Sequence, residues 1–286
     1  MQEKELILVF GPTAVGKTDY AIELAQEYRS PVISCDSRQI FREMKIGTAP
    51  PSEEQLARVK HYFIFSHSVT QYYTAGKYEL EALALLDELF KTHDHLVMCG
   101  GSGLYIDALC NGLDDFPEAD QVLRASLMQR LKTEGIASLQ QQLQELDPET
   151  CRVIDMANHQ RVVRALEVTL MTGRKFSSFK TQPRKQRPFS IRKIYLDRDR
   201  EVLYERINRR VDLMMDAGLL DEVRSLSPYR HMPALNTVGY RELFDYLDEK
   251  TSLEEAVNLI KRNSRRYAKR QQTWWRKEEA HRLLLP

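Results

Sequence analysis

The segment FGPTAVGKT, residues 10–18, has the residue types and spacing that bind phosphate. Gly11, Gly16, Lys17 and Thr18 match the pattern G-x-x-x-x-G-K-[ST] without a mismatch, directly after the apolar residues 6–10. The glycines allow backbone N–H groups to converge on an anion, and the following helix adds its positive N-terminal end. Lys17 is placed to reach terminal phosphate oxygens, and Thr18 to hold a Mg²⁺ ion. The loop predicts a bound phosphate group but does not specify the molecule that carries it.

Asp36 offers a carboxylate at the carboxyl end of a second apolar run, residues 31–35. Open α/β sheets bind ligands at the carboxyl ends of their strands, so we expect Asp36 to face the phosphate loop. A carboxylate there can bind magnesium, bind a nucleoside acceptor in a kinase, or accept a proton from a nucleophile. It can also serve as a helix N-cap, since Asp and Ser are favoured at that position.

The segment CGGSGLY, residues 99–105, is a second glycine-rich turn after an apolar run. By itself this turn is as consistent with a ligand-binding role as with a turn that tight packing requires. It lacks the strand-end Asp with which ordinary P-loop ATPases hold magnesium, which leaves Asp36, and more weakly Asp197, as acidic candidates. The phosphate loop therefore does not predict an ATP hydrolase.

Short apolar runs alternate with helical segments along much of the chain, at residues 6–10, 31–35, 96–99 and 191–196. This alternation predicts an α/β fold, a P-loop NTPase-like parallel sheet with flanking helices. Between residues 111 and 188 polar helical segments replace the apolar runs, at residues 121–134, 138–146 and 160–171. We therefore predict a core of residues 1–110 and 189–286, with an inserted helical subdomain at 111–188.

The 42 basic and 41 acidic side chains of this 286-residue chain nearly cancel, but their distribution is uneven. Residues 172–193 hold eight Lys or Arg and no acid, and residues 261–277 hold eight more, again with no acid. Two such blocks predict surfaces for a polyanion. The four cysteines are widely spaced, so we expect neither a zinc site nor a disulfide framework. We expect no signal peptide and no membrane span, and a cytoplasmic protein.

The segment after residue 251 predicts an amphipathic helix. Ser252 and Glu255 fit an S-x-x-E capping box, and Val257, Ile260 and Tyr267 lie at helical spacing for a buried stripe. Another face carries cations and leads to two indoles: Arg262, Arg266, Lys269, Arg270, Trp274 and Trp275. Cations beside aromatics suit RNA, and they suit equally a solvated helix whose aromatics anchor the core.

Ordered motifs over nearly the whole chain resemble those of the tRNA dimethylallyltransferases. They are GPTAVGKT, DSRQIF, IGTAPPSEE, YTAGKYE, GGSGLY, NHQRVVRALEV, RRVDLMMDAGLLDEV, VGYREL and KRNSRRYAKRQQTWWR. The resemblance implies that the bound phosphate is the diphosphate of dimethylallyl diphosphate. The acceptor would be the exocyclic amine of the adenosine immediately 3′ of a tRNA anticodon, and the product isopentenyladenosine.

The same resemblance implies roles for individual residues. Asp36 would take the proton of the amine, Arg210 and Thr18 would act on the leaving diphosphate, and Thr18 would hold Mg²⁺. The diphosphate would bind Gly11, Pro12, Thr13, Ala14, Val15, Gly16, Lys17 and Thr18. The tRNA would contact Asp36, Ser37, Arg38, Gln39, Ser102, Arg124, Gln160, Arg161, Val162, Val163, Arg164, Asn236, Thr237, Val238, Gly239, Tyr240 and Arg241. The partner would be the anticodon stem-loop, and we expect a monomer that binds no membrane.

Three positions depart from the family's pattern: Phe41 stands where Tyr is usual, Pro51 where Lys is common, and His61 alone remains of a histidine pair. The alternative function is that of a P-loop kinase acting on a nucleoside or small metabolite, since DREVLYERINRR resembles a kinase lid. A prenyltransferase for free adenine nucleotides would not need the basic blocks. A non-catalytic RNA-binding protein would not need the catalytic side chains of the phosphate loop.

Overall fold

A computed structural model describes residues 4–114, 116–180 and 185–286. Its six strands form one parallel sheet in the order β3-β2-β4-β1-β5-β6. The strands are β1 (Glu5–Phe10), β2 (Val32–Ser34), β3 (His61–Tyr62), β4 (His95–Gly100), β5 (Ser190–Arg198) and β6 (His281–Leu285). The four predicted apolar runs all lie in this sheet, which confirms the predicted α/β fold class.

The central strand β1 lies between β4 and β5, and residues 6–10 are almost completely buried. A strand covered on both faces reads as a continuous apolar run, which is why the sequence revealed it. The strands β3 and β6 lie at the two edges of the sheet and were not predicted. The first has only two residues, and the second begins with His281 and Arg282, so neither carries an apolar run of recognisable length at its start.

Twelve α-helices are found in the described residues. They are α1 (Lys17–Glu27), α2 (Glu53–Arg58), α3 (Ala75–Leu89), α4 (Gly103–Asn111), α5 (Gln121–Glu134), α6 (Ile136–Leu146), α7 (Pro148–Val153), α8 (His159–Thr172), α9 (Arg200–Asp216), α10 (Leu219–Ser225), α11 (Tyr240–Leu247) and α12 (Leu253–Trp274). Short 3₁₀ helices lie at Phe176–Phe179, Ser227–Tyr229 and Pro233–Leu235. None of the helices in the described part of the chain is long and apolar enough to cross a membrane.

The chain divides into two compact units. The first comprises Met1–Cys110 and Arg187–Pro286 and contains the whole sheet, and the second is Asn111–Gln186. The second unit has its own apolar core, with Leu139, Leu143, Val162 and Leu166 fully buried. Of the basic segment 172–193, residues 181–184 lie outside the described residues.

The C-terminal helix α12 differs from the prediction in two details. Ser252 caps it by accepting a hydrogen bond from the Glu255 N–H at 3.1 Å. The Glu255 carboxylate instead accepts from the Thr251 hydroxyl, so the reciprocal half of the capping box is not formed. The buried residues of the helix are Ala256, Ile260, Ala268 and Gln271, whereas Tyr267 is 37% exposed. The predicted buried stripe was therefore wrong at Tyr267, because small alanines and not the aromatic ring form the packed face.

The two indoles after this helix have different environments. Trp275 is 1% exposed and packs edge-on against Phe10 of β1 at 5.2 Å between ring centroids. Trp274 is 49% exposed. One aromatic therefore anchors the core, and the other remains at the surface.

Candidate active site

The phosphate loop connects β1 to α1, the strand–loop–helix context that its pattern requires. A Cβ at Gly11 would lie 2.3 Å from the backbone oxygen of Leu196, so only glycine fits there. Gly16 caps α1 with φ +112°, a left-handed conformation that glycine adopts without strain. Ala14 also has a positive φ of 64°, which is costly for a residue with a Cβ. The loop is thus held in a special conformation between two rigid elements.

Lys17 is the first residue of α1, and its ammonium donates to the backbone oxygen of Pro12 at 2.8 Å. Burial lowers the pKa of Lys17 to about 8, and the positive charge of Arg210 acts in the same direction. The negative charge of Asp36 opposes this effect on the pKa. An ammonium held away from water and close to another cation is well suited to an incoming anion.

Three arginines contact consecutive residues of the phosphate loop. Arg210 donates to the Thr13 hydroxyl at 3.3 Å, and the Arg206 Nε donates to the Ala14 oxygen at 2.9 Å. The Arg198 Nε donates to the oxygen of the next loop residue at 3.3 Å. None of the three guanidiniums forms a salt bridge within the described residues, and burial lowers the pKa of Arg198 and of Arg210. Uncompensated positive charge is therefore concentrated at the loop.

Only Arg210 of these three was selected from the sequence. Arg206 lies one turn before it on α9, and this i, i+4 spacing on one helix face is the signal that could have identified it. No pattern in the sequence indicated Arg198, because the residue reaches the loop from the end of β5.

Asp36 follows β2, and its Oδ1 accepts hydrogen bonds from the Arg38 N–H at 2.8 Å and the Gln39 N–H at 3.2 Å. The capping role considered as an alternative is therefore present. The other carboxylate oxygen, Oδ2, accepts no hydrogen bond from the described residues. Ser102 fixes the same turn, since its Oγ accepts from the Ser37 N–H at 2.9 Å. One oxygen of Asp36 thus holds the turn, and the other is available to a ligand.

A cavity of about 400 Å³ connects Asp36 with the phosphate loop. Its polar lining includes Thr13, Asp36 and Arg210, and Ile207 and Met214 belong to an apolar wall. The full lining is Thr13, Asp36, Ser37, Arg38, Gly47, Thr48, Ala49, Ile207, Arg210, Val211, Met214, Asn236, Thr237, Val238, Gly239, Arg241, Ile260, Ser264, Tyr267 and Arg270. Segments far apart in the sequence therefore meet at one concave site.

Tyr267 and Arg270 project from α12 into the lining of this cavity. Desolvation around the Tyr267 hydroxyl raises the pKa of this side chain to about 12, with a further contribution from the nearby Asp36 carboxylate. The hydroxyl is hydrogen-bonded to Ser102. Tyr267 was not predicted as a site residue, because its helical spacing predicted a place in the core.

Residues 236–241 are divided between the cavity and the protein interior. Asn236, Thr237, Val238, Gly239 and Arg241 line the cavity. Tyr240 is fully buried, and its hydroxyl donates to Glu222 at 2.7 Å. Its side chain therefore presents no surface to a ligand in this structure.

Gln39 and Glu222 hold the backbone of the adjoining cavity wall, residues 45–49. The Gln39 amide donates to the Thr48 oxygen at 3.2 Å and to the Ala49 oxygen at 2.8 Å. The Glu222 carboxylate accepts from the N–H groups of residues 45, 46 and 47 at 2.8 to 3.0 Å. Gln39 therefore supports the cavity wall and is absent from the lining.

The remaining predicted contacts lie in the second unit. Val162 and Val163 are buried in its core, so their side chains are not available to a partner. Arg124 and Arg164 both form ion pairs with the fully buried Glu167. Gln160 and Arg161 are exposed.

No group of three or more His, Cys, Asp or Glu in the described residues could hold a metal ion. The cysteines Cys35, Cys99, Cys110 and Cys151 are free thiols.

Comparison with known proteins identifies the family. The family model described as IPP transferase matches residues 39–278. A relative from Bacteroides thetaiotaomicron, tRNA dimethylallyltransferase 1, is 49% identical over 98% of this chain and 91% of its own length. The chain belongs to the tRNA dimethylallyltransferase family.

Solved structures of the tRNA dimethylallyltransferase family share this fold. The tRNA isopentenylpyrophosphate transferase of Bacillus halodurans superimposes with a TM-score of 0.71 at 36% identity, over 99% of this chain and 90% of that one. A eukaryotic dimethylallyltransferase acting on tRNA has a TM-score of 0.82 at 24% identity, over 98% of this chain and 74% of its own. The predicted P-loop NTPase-like architecture is confirmed.

The departures from the tRNA dimethylallyltransferase pattern lie outside the cavity lining. Phe41 is 2% exposed in the core beside α11, where a tyrosine hydroxyl would need a buried partner. His61 lies in β3, and its Nδ1 is 2.8 Å from the oxygen of Val59. Burial lowers the pKa of His61, which favours a neutral ring. Pro51 is buried.

Proposed function

We propose that this chain transfers a dimethylallyl group from dimethylallyl diphosphate to the exocyclic amine of the adenosine 3′-adjacent to the anticodon in tRNAs. The observation that carries the proposal is the cavity that Asp36 lines together with Thr13 and Arg210 of the phosphate-binding side. A base and a leaving-group site must face each other across one space for this reaction. Membership of the tRNA dimethylallyltransferase family supports the same assignment.

The leaving diphosphate would lie in the loop of residues 11–18. As the amine nitrogen attacks the allylic carbon, a C–N bond forms and the C–O bond to diphosphate breaks, so negative charge grows on the departing oxygens. Lys17, Arg210 and the N–H groups at the start of α1 would stabilise this charge in a site largely shielded from water.

Asp36 would act as the general base. Its Oδ2 has no other hydrogen bond among the described residues and can accept the proton that the amine loses. The two hydrogen bonds to Oδ1 keep the carboxylate oriented toward the cavity. The division of labour between the two oxygens explains how one side chain both caps the turn and performs chemistry.

The apolar wall of the cavity would hold the five-carbon allyl group. Ile207, Val211, Met214 and Ile260 contribute to this wall beside Arg210. Apolar surroundings shield the activated carbon from water, whose attack would only hydrolyse the donor.

A Mg²⁺ ion fits this donor set if the diphosphate supplies most of the ligands. Thr18 is half-buried directly after Lys17, and magnesium characteristically keeps several waters and takes substrate phosphate oxygens. When bound, the ion would neutralise charge on the leaving diphosphate.

The acceptor would be an anticodon stem-loop. Arg38, Asn236, Thr237 and Arg241 line the cavity and would surround the extruded adenosine, with Ser102 holding the turn below it. Gln160 and Arg161 are exposed on the second unit and would contact the RNA backbone. An unpaired loop base is extruded at a cost of only a few kcal/mol. We further propose a cytoplasmic monomer.

A single assay tests the proposal. The protein is incubated with dimethylallyl diphosphate, Mg²⁺ and unmodified tRNA, and the digested nucleosides are analysed by mass spectrometry. We expect isopentenyladenosine from the wild-type protein and far less, at equal incubation time, from the Asp36→Asn variant. Unaltered tRNA, together with transfer of the ATP γ-phosphoryl group to a nucleoside in a parallel incubation, would instead identify the P-loop kinase and overturn the proposal.

A further inference from the structure

Gln271 of α12 joins the phosphate loop to the second glycine turn. Its Oε1 accepts from the Thr13 N–H at 2.8 Å, and its Nε2 donates to the Gly101 oxygen at 2.8 Å. The residue is only 6% exposed. Both ends of one side-chain amide are thus used within the protein.

We infer that Gln271 is a positioning residue that fixes the phosphate loop and thereby sets its affinity for diphosphate. The inference rests on the proposed function of that loop as the diphosphate site. Gln271 itself would not touch the substrate, since both polar atoms of its amide already bind Thr13 and Gly101 and the residue is absent from the cavity lining.

The chemistry of the two contacts requires an amide. One partner is a backbone donor and the other a backbone acceptor, and a side-chain amide alone of this length supplies both complements. Without the amide, the N–H of Thr13 and the oxygen of Gly101 would lose their hydrogen-bond partners at a nearly buried position. Leaving such groups unpaired costs more free energy than losing a solvent-exposed hydrogen bond. The loop would then sample other conformations, some of which point its N–H groups away from the anion.

Gly101 leaves the space that Gln271 occupies. A Cβ on this glycine would lie 2.6 Å from the Gln271 Nε2, but at ordinary distances of 3.6 Å from the Gly11 oxygen and from the Lys17 Nζ. A methyl group there would therefore displace the flexible amide without disturbing the rest of the loop. The two positions provide independent ways to break the same bridge.

The bridge also connects the loop to the acceptor side of the cavity. Tyr267 and Arg270 lie on the same helix as Gln271, within the turn that precedes it, and line the cavity with Asp36. Gln271 therefore sets the position of the donor loop relative to the helix that forms the opposite wall.

The test compares Gln271→Met, Gly101→Ala and the double variant, with Gln141→Met as a matched control. Gln141 is exposed on α6, and its amide donates to the surface glutamate Glu145.

Binding of inorganic diphosphate in the presence of Mg²⁺ is measured by calorimetry. Binding of an anticodon stem-loop is measured by filter retention, and folding by thermal denaturation. We expect each single variant to raise the Kd for diphosphate about tenfold, with the RNA affinity within about twofold of wild type. The double variant should be no weaker than the weaker single variant, because both changes remove one bridge.

A folded Gln271→Met protein that binds diphosphate like the wild type would overturn the inference. The inference would also be overturned if the Kd for diphosphate rose in the double variant by the product of the two single-variant increases. If Gln271→Met does not fold, the Gly101→Ala variant decides alone. A wild-type protein that binds diphosphate but never alkylates RNA would refute the proposed function and leave the bridge testable, whereas a wild type that does not bind diphosphate refutes both.

Discussion

At the scale of single residues, Asp36 and Lys17 perform tasks that their neighbours make possible. Asp36 uses one oxygen to hold the turn through Arg38 and Gln39 and leaves the other for a substrate. Lys17 is kept from water beside Arg210, so its proton is held less tightly than in solution. The free oxygen of Asp36 and the lowered pKa of Lys17 both result from neighbouring residues, and each can be tested by a substitution.

Replacing Asp36 with asparagine should separate its two tasks. The amide oxygen of Asp36→Asn can still accept from the Arg38 N–H, but the amide cannot take a proton. We expect kcat to fall by about 10² to 10⁴-fold, with tRNA binding and the melting temperature near those of wild type. The same change at Asp197, whose Oδ1 accepts from the Arg198 N–H at 3.0 Å, should have a much smaller effect on kcat. Near-full turnover by Asp36→Asn would contradict its assignment as the base.

The lowered pKa of Lys17 predicts a pH dependence of diphosphate binding. The ammonium form binds the anion, so affinity should fall as pH rises through about 8, by at most about tenfold per unit. The Lys17→Met variant should bind weakly and lack this component, since the titration of the ligand itself is common to both proteins. Calorimetry between pH 7 and 9.5 measures the difference. Parallel pH profiles for the two proteins would show that Lys17 does not titrate in this range.

The same shift has a consequence for stability with a definite sign. Between pH 8 and the ordinary value of 10.5, the unfolded chain holds a proton on Lys17 that the folded chain has lost. The contribution of this group to the free energy of unfolding therefore rises with pH across that window.

At the scale of elements, α9 acts as an arginine-bearing cover on the phosphate loop. Arg206 and Arg210 are one turn apart and contact successive loop residues, including Ala14 in its strained left-handed conformation. Asp199 precedes the helix as its N-cap, and its side chain accepts hydrogen bonds from the N–H groups of Glu201 and Val202. This cap fixes where the helix starts and thus where the two guanidiniums lie.

Removing the Arg206 guanidinium should weaken the loop without removing the base. Because Arg206→Met deletes the hydrogen bond to the Ala14 oxygen and one positive charge, we expect KM for dimethylallyl diphosphate to rise about tenfold, with kcat changed less. Arg209 is exposed on the same helix, so Arg209→Met is a matched control that should leave KM for the donor unchanged. Steady-state kinetics at saturating tRNA measure both. Equal KM values of the two variants for dimethylallyl diphosphate would show that the contact between Arg206 and Ala14 does not contribute to donor binding.

At the scale of the whole molecule, arginines of a nearly neutral chain differ in whether an acidic side chain pairs with them. The phosphate loop has three arginines without an ion pair in the first unit, whereas Arg124 and Arg164 of the second unit share one buried partner, Glu167. Arg161 is exposed and lies on the same helix, α8, as Arg164. Two arginines one turn apart on α8 therefore have different roles: Arg164 pairs with a buried carboxylate, and Arg161 is available to a partner at the surface.

This difference predicts opposite outcomes for two substitutions in α8. Arg161→Gln should weaken tRNA binding and make its dependence on the logarithm of salt concentration about one unit less steep, because one phosphate contact is lost. Arg164→Gln should lower the melting temperature, because the buried Glu167 loses one of its two partners. Filter binding across a salt series and thermal denaturation measure the two effects. An Arg161→Gln protein with an unchanged salt slope would contradict the proposed RNA contact.

The sequence by itself determined the local features of this protein. The apolar runs marked the buried strands, the glycine spacing marked the phosphate loop, and the ordered motifs marked the family. These signals are readable because a strand buried on both faces and a tight anion-binding turn each restrict the residue types at adjacent positions. The short edge strands β3 and β6 restrict few positions, so they were missed.

Only the tertiary structure decided which side chains meet. It placed Tyr267 in the cavity and not in the core, buried Val162, Val163 and Tyr240, and brought Gln271 to Thr13 across more than 250 residues of chain. Contacts of this kind depend on the relative positions of elements joined by long connections, and no spacing within a segment records them. The physical reason is that helical periodicity determines which side chains share a face of one helix, but not which face is buried. The buried face is determined by packing, here by small residues such as Ala268 against the sheet.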